Sequence, residues 1–170
     1  MNPVHYSSKK DNWQTPKWLF DVFNDHFNFK IDVCADEQNH LCEKYFTQEN
    51  SCLDQDWSEY NFMNPPYGRQ ISKFVEKAFE QWKKNKYTTV ALLPSRTDTK
   101  WFHDYIYPHA SMCFIKSRLK FGGDERSETG CAPFPSMIVI WFGDDAFKKN
   151  LFLPYKKMFK MIEEAKCSLK

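Results

Sequence analysis

Residues 61–94 read NFMNPPYGRQISKFVEKAFEQWKKNKYTTVALLP, and this stretch sets the fold class. Asn61-Phe62-Met63 is a short strand stopped by Pro65 and Pro66, because proline has no N–H to give to a sheet ladder. Ile71, Phe74, Val75, Ala78, Phe79 and Trp82 then recur at i, i+3, i+4, i+7, i+8 and i+11, one face of an amphipathic helix. Lys83, Lys84 and Lys86 fall at its C-terminal end, where the helix dipole favours cations. Thr88 to Leu93 is a continuous run of the kind buried on both faces of a parallel sheet. Strand, helix and strand in this order make a βαβ unit.

Working outward, Thr15 is placed to cap a helix that Pro16 opens. Leu19, Phe20, Phe23 and Phe27 follow on one helical face. Phe29 to Cys34 alternates as a strand, residues 36–44 are polar and irregular, and Tyr45-Phe46-Thr47 is a short strand. Downstream, residues 98–106 are helical, and Met112 to Ile115 and Met137 to Phe142 are strands joined by a polar loop over about 117–135. With no helix between them, those last two strands are expected to pair antiparallel. Pro154 starts a final helix carrying Tyr155, Met158, Phe159 and Ile162. The expectation is one α/β domain spanning 1–170, with a mostly parallel sheet, an antiparallel last strand and no separate recognition domain.

Composition is that of an ordinary soluble globular domain. Of the 170 residues 42% are hydrophobic and 27% charged, and no apolar run is long enough to cross a membrane. The first residues lack the apolar segment of a secretory leader. Six cysteines lie at 34, 42, 52, 113, 131 and 167 with no C-x-x-C, which argues for reduced, mostly core cysteines in a cytosolic protein and against a zinc site. The net charge of +2 conceals an asymmetry: residues 1–60 hold five Lys/Arg against eleven Asp/Glu, the rest nineteen against eleven. A basic second half suits either a polyanionic partner or an ordinary dipolar surface.

Ligands of such sheets bind beyond the carboxyl ends of the strands. There the sequence places Cys34-Ala35-Asp36, Asn64-Pro65-Pro66-Tyr67 and Pro94-Ser95-Arg96. The second group suits an exocyclic amine. Such a nitrogen is a poor nucleophile because its lone pair is delocalised into the base ring. An Asn oxygen and a backbone carbonyl can each accept one amino hydrogen, favouring a tetrahedral nitrogen with its lone pair aimed at an electrophile. The prolines stiffen the carbonyl's segment, and Tyr67 offers a ring on which a base can stack.

In this tetrad the chain resembles amino-methylating S-adenosylmethionine-dependent methyltransferases. Gln14-Thr15-Pro16, Ile31-Asp32-Val33-Cys34-Ala35, Asp56-Trp57, Asn64-Pro65-Pro66-Tyr67-Gly68 and Leu93-Pro94-Ser95-Arg96-Thr97-Asp98-Thr99 follow in that order. The series is similar to the phage-type DNA N-6-adenine methyltransferases over roughly residues 11–142. The resemblance implies a single Rossmann-like methyltransferase domain that moves a methyl group from S-adenosylmethionine to N6 of an adenine flipped out of duplex DNA, without a metal and in the bacterial host cytoplasm. It assigns Asn64, Pro65, Pro66 and Tyr67 to catalysis. Thr15, Pro16, Asp32, Cys34, Ala35, Asp56, Trp57 and Asn64 would border the cofactor, with Glu49 or Asp54 on its ribose. Asp36-Glu37-Gln38-Asn39 stands where many relatives have a Gly-rich loop.

Arg96 is open to two readings: a contact to phosphate or base, or an ion-pair partner of Asp98 at a helix start. Arg69, Lys73, Lys116, Arg118 and Lys120 are candidate phosphate contacts, and the last three share one side if their strand continues. Sequence readout would fall to loops at 1–12, 68–72 and 117–135. The alternatives are an N4-cytosine methyltransferase, a glutamine methyltransferase and a non-catalytic cofactor- or DNA-binding phage protein of the same fold. Asn64 favours adenine, and the missing Gly-rich loop speaks against the glutamine enzymes. Oligomeric state stays open.

Overall fold

The computed structural model describes residues 13–122 and 131–169. The stretch 1–12 and the part of the expected 117–135 loop that spans 123–130 lie outside the described residues. Helix α1 (Lys17–Phe27) leads into strand β1 (Ile31–Asp32). Strand β2 (Tyr60–Met63), helix α2 (Ile71–Asn85) and strand β3 (Thr88–Pro94) form the expected βαβ unit. A π-helical turn (Phe102–Ile106), strands β4 (Ser111–Phe114) and β5 (Ser136–Trp141), and helices α3 (Asp144–Lys148) and α4 (Tyr155–Ser168) complete the order.

The five strands make one sheet in the order β1-β2-β3-β5-β4. β1, β2 and β3 pair parallel, and β5 lies antiparallel between β3 and β4. The last strand is therefore the antiparallel one, as expected, but it is inserted inside the sheet. Every residue of β2, β3 and β5 is buried, which explains why these runs are continuous and do not alternate. Phe20 of α1 meets Phe62 edge-on at 5.1 Å and 89°, sealing one face of the sheet. Val75 and Ala78 of α2 are fully buried.

Several local expectations change. Thr15 does not cap α1. Pro16 holds the cap position with its carbonyl, taking the N–H groups of Leu19 and Phe20, because the Thr15 hydroxyl is engaged elsewhere. The strand expected over 29–34 shortens to two residues, although Lys30 and Val33 N–H still bond to Tyr60 and Phe62 carbonyls. Tyr45 adds a single parallel bridge to Asp32 instead of a strand. Within the helix expected over 98–106, residues 102–106 underwind into a wider π-turn: Tyr107 N–H reaches the Phe102 carbonyl at 2.8 Å, and the Trp141 indole N–H takes the Tyr105 carbonyl at 2.9 Å. α3 was not anticipated. Gly143 precedes it because a Cβ there would sit 1.8 Å from the Lys86 carbonyl oxygen. Cys52 and Cys113 are buried, Cys34 and Cys42 half-buried, and Cys131 and Cys167 exposed, so the cysteines are less core-bound than expected. No helix of the described residues is long and apolar enough to cross a membrane.

Candidate active site

A cavity of about 710 Å³ opens beyond the carboxyl ends of β1 and β2. That volume lies within the usual range for small-molecule sites, about 300–1,000 Å³. Its wall is built from Val33, Cys34 and Ala35 after β1, from Thr47, Gln48, Ser51 and Cys52 in the following loops, and from Asn64, Pro65 and Pro66 after β2. Phe46, Leu53 and Phe74 supply apolar surface. Asp36 is the one acid on the wall among the described residues.

Asp36 closes the turn that follows β1, in the segment where the sequence has no Gly-rich loop. Its carboxylate accepts the backbone N–H groups of Gln38 and Asn39, each at 2.8 Å, and the two residues 36 and 39 bridge each other across the turn. An Asx turn thus reverses the chain tightly enough to leave the cavity open.

Asn64 stands at the rim where β2 ends. Its side-chain N–H₂ donates to the Trp13 carbonyl and, at 2.9 Å, to the Thr15 hydroxyl. Its oxygen Oδ1 is buried and has no hydrogen-bond partner among the described residues. Asn61, three residues earlier, is the contrast. Its amide donates to Ser58, Thr88 and Thr89, and its oxygen accepts the Ser58 N–H, so every group is satisfied. An unpartnered buried acceptor costs about 1–3 kcal/mol, so Asn64 retains an expense that Asn61 does not. The Pro65 carbonyl also accepts no hydrogen bond among the described residues.

Tyr67 is 6% exposed, and its hydroxyl donates to the Leu92 carbonyl at 3.0 Å. Burial holds its phenol well above the ordinary tyrosine range, so it stays protonated. Phe134 and Phe121 meet the ring edge-on at centroid distances of 5.3 and 6.1 Å, and Trp13 touches both of them. The ring expected to be open for a base is instead enclosed in this aromatic cluster.

Of the residues expected at the cofactor, Cys34, Ala35 and Asn64 line the cavity. Asp32 does not. Its carboxylate is 4% exposed and accepts the N–H groups of Cys34 and Leu41, bracing the loop after β1. Burial, only partly offset by these two bonds, raises its pKa to about 6. Thr15 and Pro16 are buried beside the cavity but are not part of its wall. Glu49 and Asp54 are exposed and are not part of its wall, although their neighbours Gln48 and Leu53 are. Trp57 is buried behind it, its indole N–H on the Cys52 carbonyl at 2.9 Å, so it supports the wall from outside. Asp56 faces a separate shallow surface pocket with Gln81 on α2.

Among the candidate phosphate contacts, Arg69 is exposed and also lines the cavity. Arg96 is exposed, and neither an ion pair with Asp98 nor an Asp98 cap forms among the described residues. Lys116, Arg118 and Lys120 are exposed, but not for the reason of strand alternation. β4 ends at Phe114 and Ser117 takes a left-handed φ of 68°, while buried Leu119 anchors the segment between them. The sequence reading placed Asp36 in the crevice and Gln70 in a readout loop without giving either a role at the cavity, and it passed over Asn39, Thr47, Gln48 and Ser51 as lining residues. Their polar character beside strand ends was visible, but nothing in their spacing marked them.

No group of three His, Cys, Asp or Glu side chains among the described residues is arranged to hold a metal. Comparison with known proteins agrees with the geometry. Residues 4–164 match the family model described as DNA N-6-adenine-methyltransferase (Dam). A DNA N-6-adenine-methyltransferase of Haemophilus phage HP1 is 35% identical over 79% of this chain and 80% of its own length. The protein of the same name from Escherichia phage T1 is 32% identical over 75% of this chain, which covers 55% of that longer relative.

Proposed function

Since the chain belongs to the DNA N-6-adenine-methyltransferase family, we propose that its Asn64 amide is the group that activates an adenine N6 in DNA for methylation. The observation that carries this reading is the buried Oδ1 of Asn64, an acceptor without a partner at the mouth of a ligand-sized cavity. An exocyclic amine brings the donor it lacks. Oδ1 accepts one amino hydrogen and the free Pro65 carbonyl accepts the other. As the nitrogen turns tetrahedral and becomes positive, both bonds strengthen, and stabilisation that grows toward the transition state is what accelerates a reaction.

The wall chemistry fits S-adenosylmethionine. When bound, that cofactor supplies an electrophilic methyl group on a sulfonium sulfur. Phe46, Leu53 and Phe74 give its apolar portion surface to rest on, while Asp36, Asn39, Thr47, Gln48 and Ser51 offer partners for its polar groups. Asp36 takes the ribose role earlier divided between Glu49 and Asp54. Cys34 and Cys52 lie 3.9 Å apart on the same wall, and burial pushes the Cys34 thiol pKa well up. A neutral thiol is a weak nucleophile, so Cys34 does not compete with the base for the methyl group.

An adenine inside a duplex has its amine paired and stacked, so the base is flipped out before transfer. To stack on Tyr67 it must displace Phe134 or Phe121 from the ring. Arg69, at the cavity edge, and exposed Arg96, Lys116, Arg118 and Lys120 supply phosphate contacts. On this reading the enzyme meets its DNA in the cytoplasm of a bacterial host, and the kinship with phage proteins supports it. The test is mass spectrometry of nucleosides from DNA of cells that express the chain and otherwise lack adenine methylation. N6-methyladenine supports the reading, N4-methylcytosine moves the specificity to the other amine, and unmodified DNA contradicts it.

A further inference from the structure

We infer that the outward face of α3, with the Phe152 ring beside it, is a contact surface for a second copy of this chain, related to the first by a two-fold axis. The inference is independent of the methyl-transfer reading. Asp144, Phe147 and Lys148 fall at i, i+3 and i+4, so they share one face of the helix, and all three are exposed. Ala146 turns the other way and is fully buried. Phe147 is 56% exposed and Phe152 43%. Their rings stack with centroids 5.7 Å apart and an angle of 19°, and both rest on buried Phe142, at 5.8 and 4.9 Å. The aromatic pair is thus held from beneath and open to water above, an apolar patch that a partner surface can cover.

The charges beside the rings select the partner. Asp144 and Lys148 stand one helical turn apart, yet neither makes an ion pair among the described residues. The adjacent Asp145 holds Lys149 at 2.7 Å and accepts the Tyr60 hydroxyl at 2.7 Å. A polyanion laid over Phe147 would meet the Asp144 carboxylate and be repelled. A second copy brings the same stripe of acid, ring and base in reverse. About a two-fold axis beside Phe147, Asp144 of each copy faces Lys148 of the other, and ring faces ring. Both charges are paired and both patches covered by one contact. At about 200 Å² for a whole aromatic side chain, the two rings bring roughly 200 Å² per copy, about a quarter of the ~800 Å² each partner gives to a standard interface, so the dimer is weak and concentration-dependent. Its place leaves the cavity free. β5 runs antiparallel to β3, so Trp141 lies beside Thr89 near the start of β3, and α3 follows at the end of the sheet away from the carboxyl ends of β1 and β2.

The test is sedimentation velocity of the full chain from about 1 to 200 µM, a range that brackets a weak dimer. The wild type is expected to pass from monomer to dimer across it, and Phe147→Ser to stay monomeric. Asp144→Lys and Lys148→Glu each set like charges against one another across the axis, and each is expected to weaken association about 10-fold or more. The two changes together reverse the stripe and are expected to restore association to within about 3-fold of wild type, which a merely structural role for either residue would not produce. Melting temperatures of the variants, taken where all are monomers, are expected to match the wild type. A wild type that is monomeric at the top of the range overturns the proposal. So does a Phe147→Ser chain that still dimerises, or a double variant as weak as the single ones. A monomeric wild type whose DNA affinity falls in Lys148→Glu overturns it as well and gives the patch to nucleic acid.

Discussion

Replacing Asn64 by Ala separates chemistry from folding more sharply than any other change in this molecule. The substitution removes two hydrogen bonds, to the Trp13 carbonyl and the Thr15 hydroxyl. At a net worth of about 0.5–1.5 kcal/mol each, that is a loss of roughly 1–3 kcal/mol. It also removes the stranded Oδ1, whose burial costs about 1–3 kcal/mol. The two nearly cancel, and the adjoining cavity lets water reach the exposed carbonyl. Stability should therefore stay within about 1 kcal/mol of wild type, a melting shift of about 2–4 °C for a chain of this size. The rate should behave differently. Loss of one preorganised hydrogen-bond partner of the reacting atom typically costs about 10²–10³. Paired measurements decide it: differential scanning calorimetry for stability, and single-turnover transfer of labelled methyl to an adenine-containing duplex for rate. A melting temperature lowered by more than about 10 °C with a proportionate loss of rate would make Asn64 a structural residue. A rate loss under about 10-fold would mean that Oδ1 does not touch the amine.

Tyr67→Phe loses the bond to the Leu92 carbonyl and should cost about 1–2 kcal/mol of stability while keeping most of the transfer rate, because the ring remains; Tyr67→Ala should lose base capture, seen as a raised KM for DNA. Folding raises the Asp32 pKa from an ordinary 3.8 to about 6, so it keeps its proton to a higher pH in the folded than in the unfolded chain. Its stabilising contribution is thus complete below about pH 4 and is lost as pH rises through about 6, on the order of 3 kcal/mol in all. Urea midpoints of wild type minus those of Asp32→Asn should fall across that window, and a flat or rising difference would refute the assignment. Changing Lys116, Arg118 and Lys120 together to Ala should weaken binding to all DNA sequences alike and flatten the salt slope by up to about three units, as read by fluorescence anisotropy across salt concentrations. An unchanged slope would put the DNA face elsewhere.

The core of this protein was legible without coordinates because burial imposes period and composition. The run Thr88–Leu93 and the stripe from Ile71 to Trp82 admit one reading each, and the βαβ unit follows from them. Asn64-Pro65-Pro66-Tyr67 stands out for a different reason: four adjacent residues carry the acceptor, the carbonyl and the ring on which the proposed chemistry rests, so that reading is local in the chain. Cys34 and Ala35 followed from the rule that ligands sit beyond strand ends.

What the chain order could not reveal is which way a polar side chain turns. Asp32 looks like a cofactor acid in sequence, yet it faces inward because the N–H groups of Cys34 and Leu41 need an acceptor there. Thr15 has the composition of a helix cap and serves an amide 49 positions away. The Asp36 turn, the covering of Tyr67 by Phe121 and Phe134, and the insertion of β5 between β3 and β4 depend likewise on partners distant in sequence or on competition among hydrogen-bond acceptors. Hydrophobic patterning is a one-dimensional signal and survives in the sequence. The pairing of individual polar groups is settled only when the folded chain has chosen, for each buried donor, the acceptor that lies within hydrogen-bonding distance of it.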